Sequence, residues 1–135
     1  YLPWQFTTQQ PIYLQIMEAI EQRIFTGIYG MGEKLPSVRD LALEASVNPN
    51  TMQRALSELE ERTLIVTQRN SGRTVTDNAD VIKKARSEKA KQLAAAYLGD
   101  MQALGYPPTE AIGFLTRKGE KEVKDGNHSD DTRAE

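Results

Sequence analysis

The chain has 135 residues, with 17 Lys or Arg against 19 Asp or Glu, one His and no Cys, for a formal net charge of −2. That length suits one small domain with an appendage and leaves no room for an additional large ligand-binding domain. Without cysteine there are no disulfides, zinc knuckles or thiol nucleophiles, and no apolar run approaches the length of a membrane span. The first residues do not read as a cleavable signal, so a cytoplasmic location is expected; a start at Tyr1 instead of methionine fits a trimmed or processed chain.

Trp4 and Phe6 precede any regular pattern and are expected to cover either the edge of the core or a neighbouring subunit. Pro11 then opens a helix in which Ile12, Ile16, Ile20 and Ile24 recur every fourth residue, a stripe widened by Tyr13, Met17 and Phe25. Gly27, Gly30 and Gly32 let the chain turn back after it.

Pro36 and Ser37 mark the next helix start, because the Ser37 hydroxyl is an N-cap and Asp40 follows at the third helical position. Val38, Leu41, Ala42 and Ala45 form its buried stripe, while Arg39, Asp40 and Glu44 fall off that stripe. Val47 is a lone apolar residue in a tight polar turn, as suits the plug between two crossing helices. Asn48 caps a further helix, Pro49 takes its first position, and Met52, Ala55, Leu56 and Leu59 supply its core face. Asn48, Asn50, Thr51, Gln53 and Arg54 therefore crowd its first turns and exposed side. Amides bond adenine edges in two places at once, arginine bonds guanine edges or phosphates, and hydroxyls bond phosphate oxygens. Any one of these residues alone reads as a cap or a solvated side chain; together with Arg39 and the hairpin that follows, they converge on a nucleic-acid surface.

Leu64-Ile65-Val66 and Arg73-Thr74-Val75 flank Asn70-Ser71-Gly72, which predicts two short strands and a loop able to take positive φ. That loop is a wing, with Arg69 and Arg73 at its shoulders to grip phosphate or enter the minor groove. Net charge gives no help, since residues 1–76 hold seven basic and eight acidic side chains. Binding must come from local placement, with specificity leaning on base contacts and dimer symmetry.

Asp77-Asn78 cap a helix expected from near Ala79, in which Ile82, Ala85, Ala90, Leu93, Tyr97, Met101 and Leu104 follow mixed three- and four-residue spacing. Gly105-Tyr106-Pro107-Pro108 ends it, and Thr109 starts a short second helix with Glu110 near its positive end and Ile112, Phe114 and Leu115 as apolar contacts. Such a hairpin cannot bury its own stripe. It is expected to pair with its copy across a two-fold axis through Ile82, Ala85, Leu93, Tyr97, Met101, Leu104, Ile112 and Leu115; the other arrangement folds it back on its own winged helix. Beyond Thr116 the chain reads as a solvated tail or a frayed helix extension, and His128 beside Asp130 and Asp131 reads as solvated and not as a metal ligand.

The segments Pro11-Ile12-Tyr13-Leu14-Gln15-Ile16, Leu35-Pro36-Ser37-Val38-Arg39-Asp40-Leu41-Ala42, Val47-Asn48-Pro49-Asn50-Thr51 and Leu59-Glu60, with Gly27 and Gly32 between, closely resemble the DNA-binding domain of GntR-type bacterial transcriptional regulators. The resemblance runs from Pro11 to Val75 and implies a winged-helix repressor or activator that binds a palindromic operator as a homodimer. By motif position it implies DNA contacts at Arg39, Asn50, Thr51, Gln53 and Gly72. The C-terminal hairpin resembles the short C-terminal domain of the YtrA-like subgroup. Three departures stand out: Thr63 where the family has glycine before Leu-Ile, Asn70 at the first wing glycine, and Pro49 where some relatives carry a basic side chain.

An enzyme is disfavoured, because the histidine lies in the tail, no glycine-rich phosphate loop is present, and the adjacent Glu60 and Glu61 point about 100° apart around a helix. A winged helix that docks on protein, and a DNA-binding domain cut from a larger fused regulator, are the other competitors. The expected fold is mainly α with a small β-wing, arranged as a winged helix-turn-helix over residues 1–76, a helical-hairpin dimerisation domain over 77–118 and a disordered polar tail over 119–135. The expected function is a sequence-specific regulator, a repressor because occluding a promoter needs no activating surface, that binds double-stranded DNA at an inverted repeat without a cofactor or metal. Its DNA-binding residues are expected to be Ser37, Arg39, Asn48, Asn50, Thr51, Gln53, Arg54, Arg69, Ser71, Gly72 and Arg73. An unknown small-molecule effector stays open as a further partner, in a cleft between subunits lined by Tyr97, Met101, Tyr106 and Phe114.

Overall fold

The computed structural model describes residues 3–70 and 72–125, with residues 117–125 as helix backbone. The elements follow in the order α1 (Ile12–Phe25), α2 (Val38–Ala45), α3 (Pro49–Glu61), β1 (Ile65–Gln68), β2 (Gly72–Val75), α4 (Ala79–Ala103) and α5 (Pro108–Asp125). This is the mainly helical, small-winged class expected from the sequence. The chain divides into two compact units, Tyr1–Ser87 and Glu88–Glu135.

The four-residue stripes of the first unit meet in one core. Ile16, Ile20 and Ile24 of α1 join Leu41, Ala42 and Ala45 of α2 and Met52, Ala55, Leu56 and Leu59 of α3, with Leu35, Leu64, Ile65 and Val75 closing it beneath the wing. Each fully buried Ile, Leu or Met contributes about 1.5–3 kcal/mol, so this cluster fixes how α3 is presented. Both expected caps are made. Ser37 Oγ accepts the Asp40 N–H at 3.1 Å, and Asn48 Oδ1 accepts the Asn50 N–H at 2.7 Å.

Both helices of the helix-turn-helix end in a left-handed residue that is not glycine. After α2, Ser46 has φ 58° and the Val47 N–H reaches back to Ala42 O at 2.9 Å. After α3, Thr63 has φ 65° and the Leu64 N–H reaches Leu59 O at 3.2 Å. A left-handed backbone costs an L-residue about 1–2 kcal/mol, and here the following residue repays it: Leu64 is buried in the core. Threonine, where the sequence resemblance leads one to expect glycine, thus takes the left-handed conformation itself and loads the helix end with strain.

The strands pair antiparallel in a register from Ile65↔Val75 to Gln68↔Gly72. Asn70 (φ 70°) and Gly72 (φ 79°) take the left-handed positions of the turn, as asparagine and glycine tolerate. The sequence did not announce that the segment before α2 adds to the outer edge of β2. Lys34 bridges Thr74, the Leu35 N–H bonds Arg73 O at 2.9 Å, and the Val75 N–H bonds Glu33 O at 2.9 Å.

Trp4 and Phe6 resolve to the core edge, where both pack half-buried against the first unit. Gln15 fastens the segment that carries them: its Oε1 accepts the Thr7 N–H at 2.8 Å, and its Nε2 donates to the carbonyls of Thr7 at 2.9 Å and Gln10 at 2.8 Å. Trp4 lies with its ring 3.9 Å from the Arg23 guanidinium.

The first unit reaches Ser87 instead of ending at Thr76, because the start of α4 belongs to its core. Asn78 Oδ1 caps that helix by accepting the Asp80 N–H at 3.0 Å. Ile82 is buried in the core cluster and Ala85 packs against it. These two residues, expected at a dimer interface, are therefore already covered by their own subunit.

In the second unit, Gly105 (φ 98°) closes α4 and the Tyr106 N–H bonds Met101 O at 3.0 Å. The second helix starts at Pro108 and runs to Asp125, so it is longer than expected and enters the segment assigned to the tail. Arg, Lys and Glu favour helix without needing a buried face, which is why no apolar stripe marks this extension. Ala111 is fully buried, the Tyr97 hydroxyl donates to Ala111 O at 2.7 Å, and the Tyr106 and Phe114 rings meet edge-on at 5.1 Å. Among the described residues, no helix is long and apolar enough to cross a membrane.

Candidate nucleic-acid interface

On α3 the residues Met52, Ala55, Leu56 and Leu59 turn into the core. At 100° per residue, Asn50, Arg54 and Ser57 follow one another along the opposite face, with Gln53 on its flank. Asn50, Gln53 and Arg54 are exposed and Thr51 is half-buried. The Gln53 amide donates to Ser57 Oγ at 3.3 Å, a weak exposed bond that a stronger acceptor displaces easily. The Asn48 side chain has committed its oxygen to the cap and keeps its NH₂ donors; Ser37 likewise keeps its hydroxyl proton.

Arg39 is exposed on α2, and Arg69 is exposed at the end of β1; neither has an ion pair among the described residues. Gly72 is bound to its place by backbone conformation, and a Cβ there would stand 3.8 Å from Lys34 Cε. Ser71 lies outside the described residues, as do His128, Asp130 and Asp131.

Two expected contacts are held differently. Arg73 does not stand free at the shoulder of the wing: its Nη2 pairs with Glu60 Oε1 at 3.3 Å, its side chain is 18% exposed, and its Nε is buried without a partner. Thr67 Oγ1 donates to the other oxygen of Glu60. One carboxylate at the end of α3 thereby ties both strands of the wing to the recognition helix, and Arg73 acts as a brace. Arg54 lies with its guanidinium carbon 3.6 Å from the centre of the Tyr13 ring on α1.

Lys34 was missed. It is exposed and lines, with Pro36, Ser37, Thr67, Gly72 and Arg73, the cleft between the wing base and the start of α2. A basic residue just ahead of a Pro-Ser helix start was the available signal. Among the described residues no group of three or more His, Cys, Asp or Glu could hold a metal ion.

Apart from Ile82 and Ala85, the apolar residues expected at a dimer interface divide into two groups. Tyr97 and Met101 are half-buried within the hairpin, whereas Leu93 is 62%, Leu104 72%, Ile112 54% and Leu115 56% exposed. The aromatic residues proposed to line an effector cleft are engaged within the hairpin itself, through the Tyr97 hydroxyl and the Tyr106–Phe114 contact.

Residues 12–75 match the family model for bacterial regulatory proteins of the gntR family. The chain is 33% identical over 108 residues to the uncharacterized HTH-type transcriptional regulator YhcF of Bacillus subtilis, spanning 80% of this chain and 89% of that one. It is 44% identical over 69 residues to the HTH-type transcriptional repressor YtrA of the same organism, spanning 51% and 53%. Among solved structures, a GntR family transcriptional regulator from Listeria monocytogenes superposes with a TM-score of 0.78 at 39% identity, covering 83% of this chain and 98% of that one.

Proposed function

The chain belongs to the GntR family of DNA-binding transcriptional regulators, and from that premise we propose that it is a repressor that binds an inverted-repeat operator as a homodimer. The observation that carries this reading is the outer face of α3, where Asn50, Gln53 and Arg54 stand exposed opposite a fully apolar inner face. In each subunit α3 enters the major groove, where Asn50, Thr51 and Gln53 meet base edges. Arg39, Arg54, Arg69, the Ser37 hydroxyl, the Asn48 amide and the backbone at Gly72 fasten the phosphate chain, which sets register without reading sequence.

Dimerisation is supported by the exposed apolar side chains of the hairpin, Leu93, Leu104, Ile112 and Leu115. A patch of this kind stays in water at a cost unless a second surface covers it, and a two-fold copy offers the same patch in return. Paired hairpins would set two α3 helices about 34 Å apart, one turn of duplex. The repressor role is supported by the name of the YtrA relative and by the absence of any need for an activating surface. Family membership favours DNA over the competing reading of a winged-helix module that docks on another protein.

Selection of bound sequences from a random duplex pool, followed by retardation titrations at two salt concentrations and sedimentation of the complex, tests the reading. An enriched inverted repeat bound by two subunits is expected. Enrichment of a single half-site bound by one subunit would overturn the dimer.

A further inference from the structure

We infer that Tyr13 is a positioning residue for DNA binding: its ring holds the Arg54 guanidinium flat at the rim of the recognition helix, with the in-plane N–H groups presented to a backbone phosphate. The inference rests on the docking face proposed above. It starts from the 3.6 Å distance between the Arg54 guanidinium carbon and the Tyr13 ring centre.

The arginines of the first unit differ in how their charge is used. Arg62 is paired with Glu21 at 3.3 Å and Arg73 with Glu60 at 3.3 Å, while Arg23 is buried, donates to Ala19 O at 3.0 Å and lies over Trp4. Arg54 is exposed and makes no ion pair among the described residues, although Glu58 lies one helical turn further on. An arginine four residues ahead of a glutamate is the weaker of the two helical orientations, and the aromatic ring wins. Stacking on a ring uses the flat face of a guanidinium and leaves its donors and its full charge available at the edge.

Location decides what those donors meet. Arg54 lies on the outer face of α3 in line with Asn50, and the Tyr13 ring on α1 draws its guanidinium toward the α1 side of that face. The first turn of α1, which carries Tyr13, has no acidic side chain to compete with a phosphate. A flexible arginine loses rotamer freedom when it binds, and the ring removes that loss in advance. The benefit is independent of sequence, because a phosphate carries no base information.

The test uses the full chain in retardation titrations over a salt series, against the selected repeat and a scrambled duplex. Arg54→Gln should weaken both about tenfold and lower the salt slope by about 0.9 per subunit, one phosphate's worth of counterion release. Tyr13→Leu should weaken both duplexes about two- to five-fold, Tyr13→Phe should restore wild-type binding, and Tyr13→Leu should add nothing in the Arg54→Gln background. If Tyr13→Leu melts the fold, Arg54→Lys serves in its place: it keeps the charge and the salt slope but stacks poorly, and should lose affinity by the same factor. A Tyr13→Leu loss that persists in the Arg54→Gln background would reduce the tyrosine to plain packing and overturn the inference while the docking face stands. An Arg54→Gln protein with unchanged affinity and salt slope would overturn the docking of this edge, and the inference with it.

Discussion

The two compact units stand in opposite conditions. The first buries a continuous core drawn from three helices, the wing and the start of α4; among the described residues of the second, only Ala111 is a buried hydrophobic, and Leu93, Leu104, Ile112 and Leu115 are left exposed. A winged helix closed on itself can be varied on its outer face without losing its fold. A hairpin that leaves four large apolar side chains in water gains stability if a second surface covers them, as the proposed dimer would. On this view the first unit carries recognition and the second carries assembly.

The sharpest way to break that contrast is to charge the hairpin. Leu104→Glu combined with Ile112→Glu should convert the protein to a monomer in sedimentation, with operator affinity at least about a hundredfold lower, since the second half-site no longer gains from the first. The melting of the first unit should be unmoved, and a double variant that still sediments as a dimer would place the interface elsewhere. Next in size is the core itself. Leu56→Ala should cost about 2–5 kcal/mol at any protein concentration. Leu104→Ala, in contrast, should show a loss that varies with dilution, as assembly-linked stability must; calorimetry over a concentration series separates the two.

Smaller effects test the recognition face. Gln53→Ala should cost about 1–3 kcal/mol on the preferred duplex and nearly nothing on a scrambled one. Arg39→Ala should weaken both alike and lower the salt slope by about 0.9 per subunit. The smallest effect concerns the end of α3: Thr63→Gly relieves the left-handed threonine and should stabilise the first unit by about 0.5–1 kcal/mol after the added chain entropy is counted. A lower melting temperature for Thr63→Gly would show that the threonine side chain contributes more than its backbone costs.

Much of the fold could be read directly from local chemistry. Ser37 and Asn48 mark their helices because a side-chain oxygen must meet an orphan N–H within three residues, and the Ile12–Ile24 spacing marks α1 because a helix repeats nearly every four residues. Asn70 and Gly72 mark the wing because few residues accept positive φ. What stayed hidden involves partners distant in sequence. A periodic stripe shows that Ile82 and Ala85 will be covered, not by what, and they went to the first unit. Arg73 reads as a phosphate contact until Glu60 is seen beside it, and Arg54 as a solvated or groove-facing side chain until Tyr13 is. The edge formed by residues 33–35 carries no alternating pattern, because its bonds are made by the backbone alone.

The Gln15 fastening has a spectroscopic consequence. Trp4 is the chain's single tryptophan, and it sits in the strap that Gln15 holds, facing a buried cation. Intrinsic emission from this protein therefore reports whether residues 4–10 are docked, before it reports whether the helices behind them have melted. In a denaturant series the emission change should precede the loss of helical circular dichroism, so the two curves will separate even where the core itself unfolds in a single step.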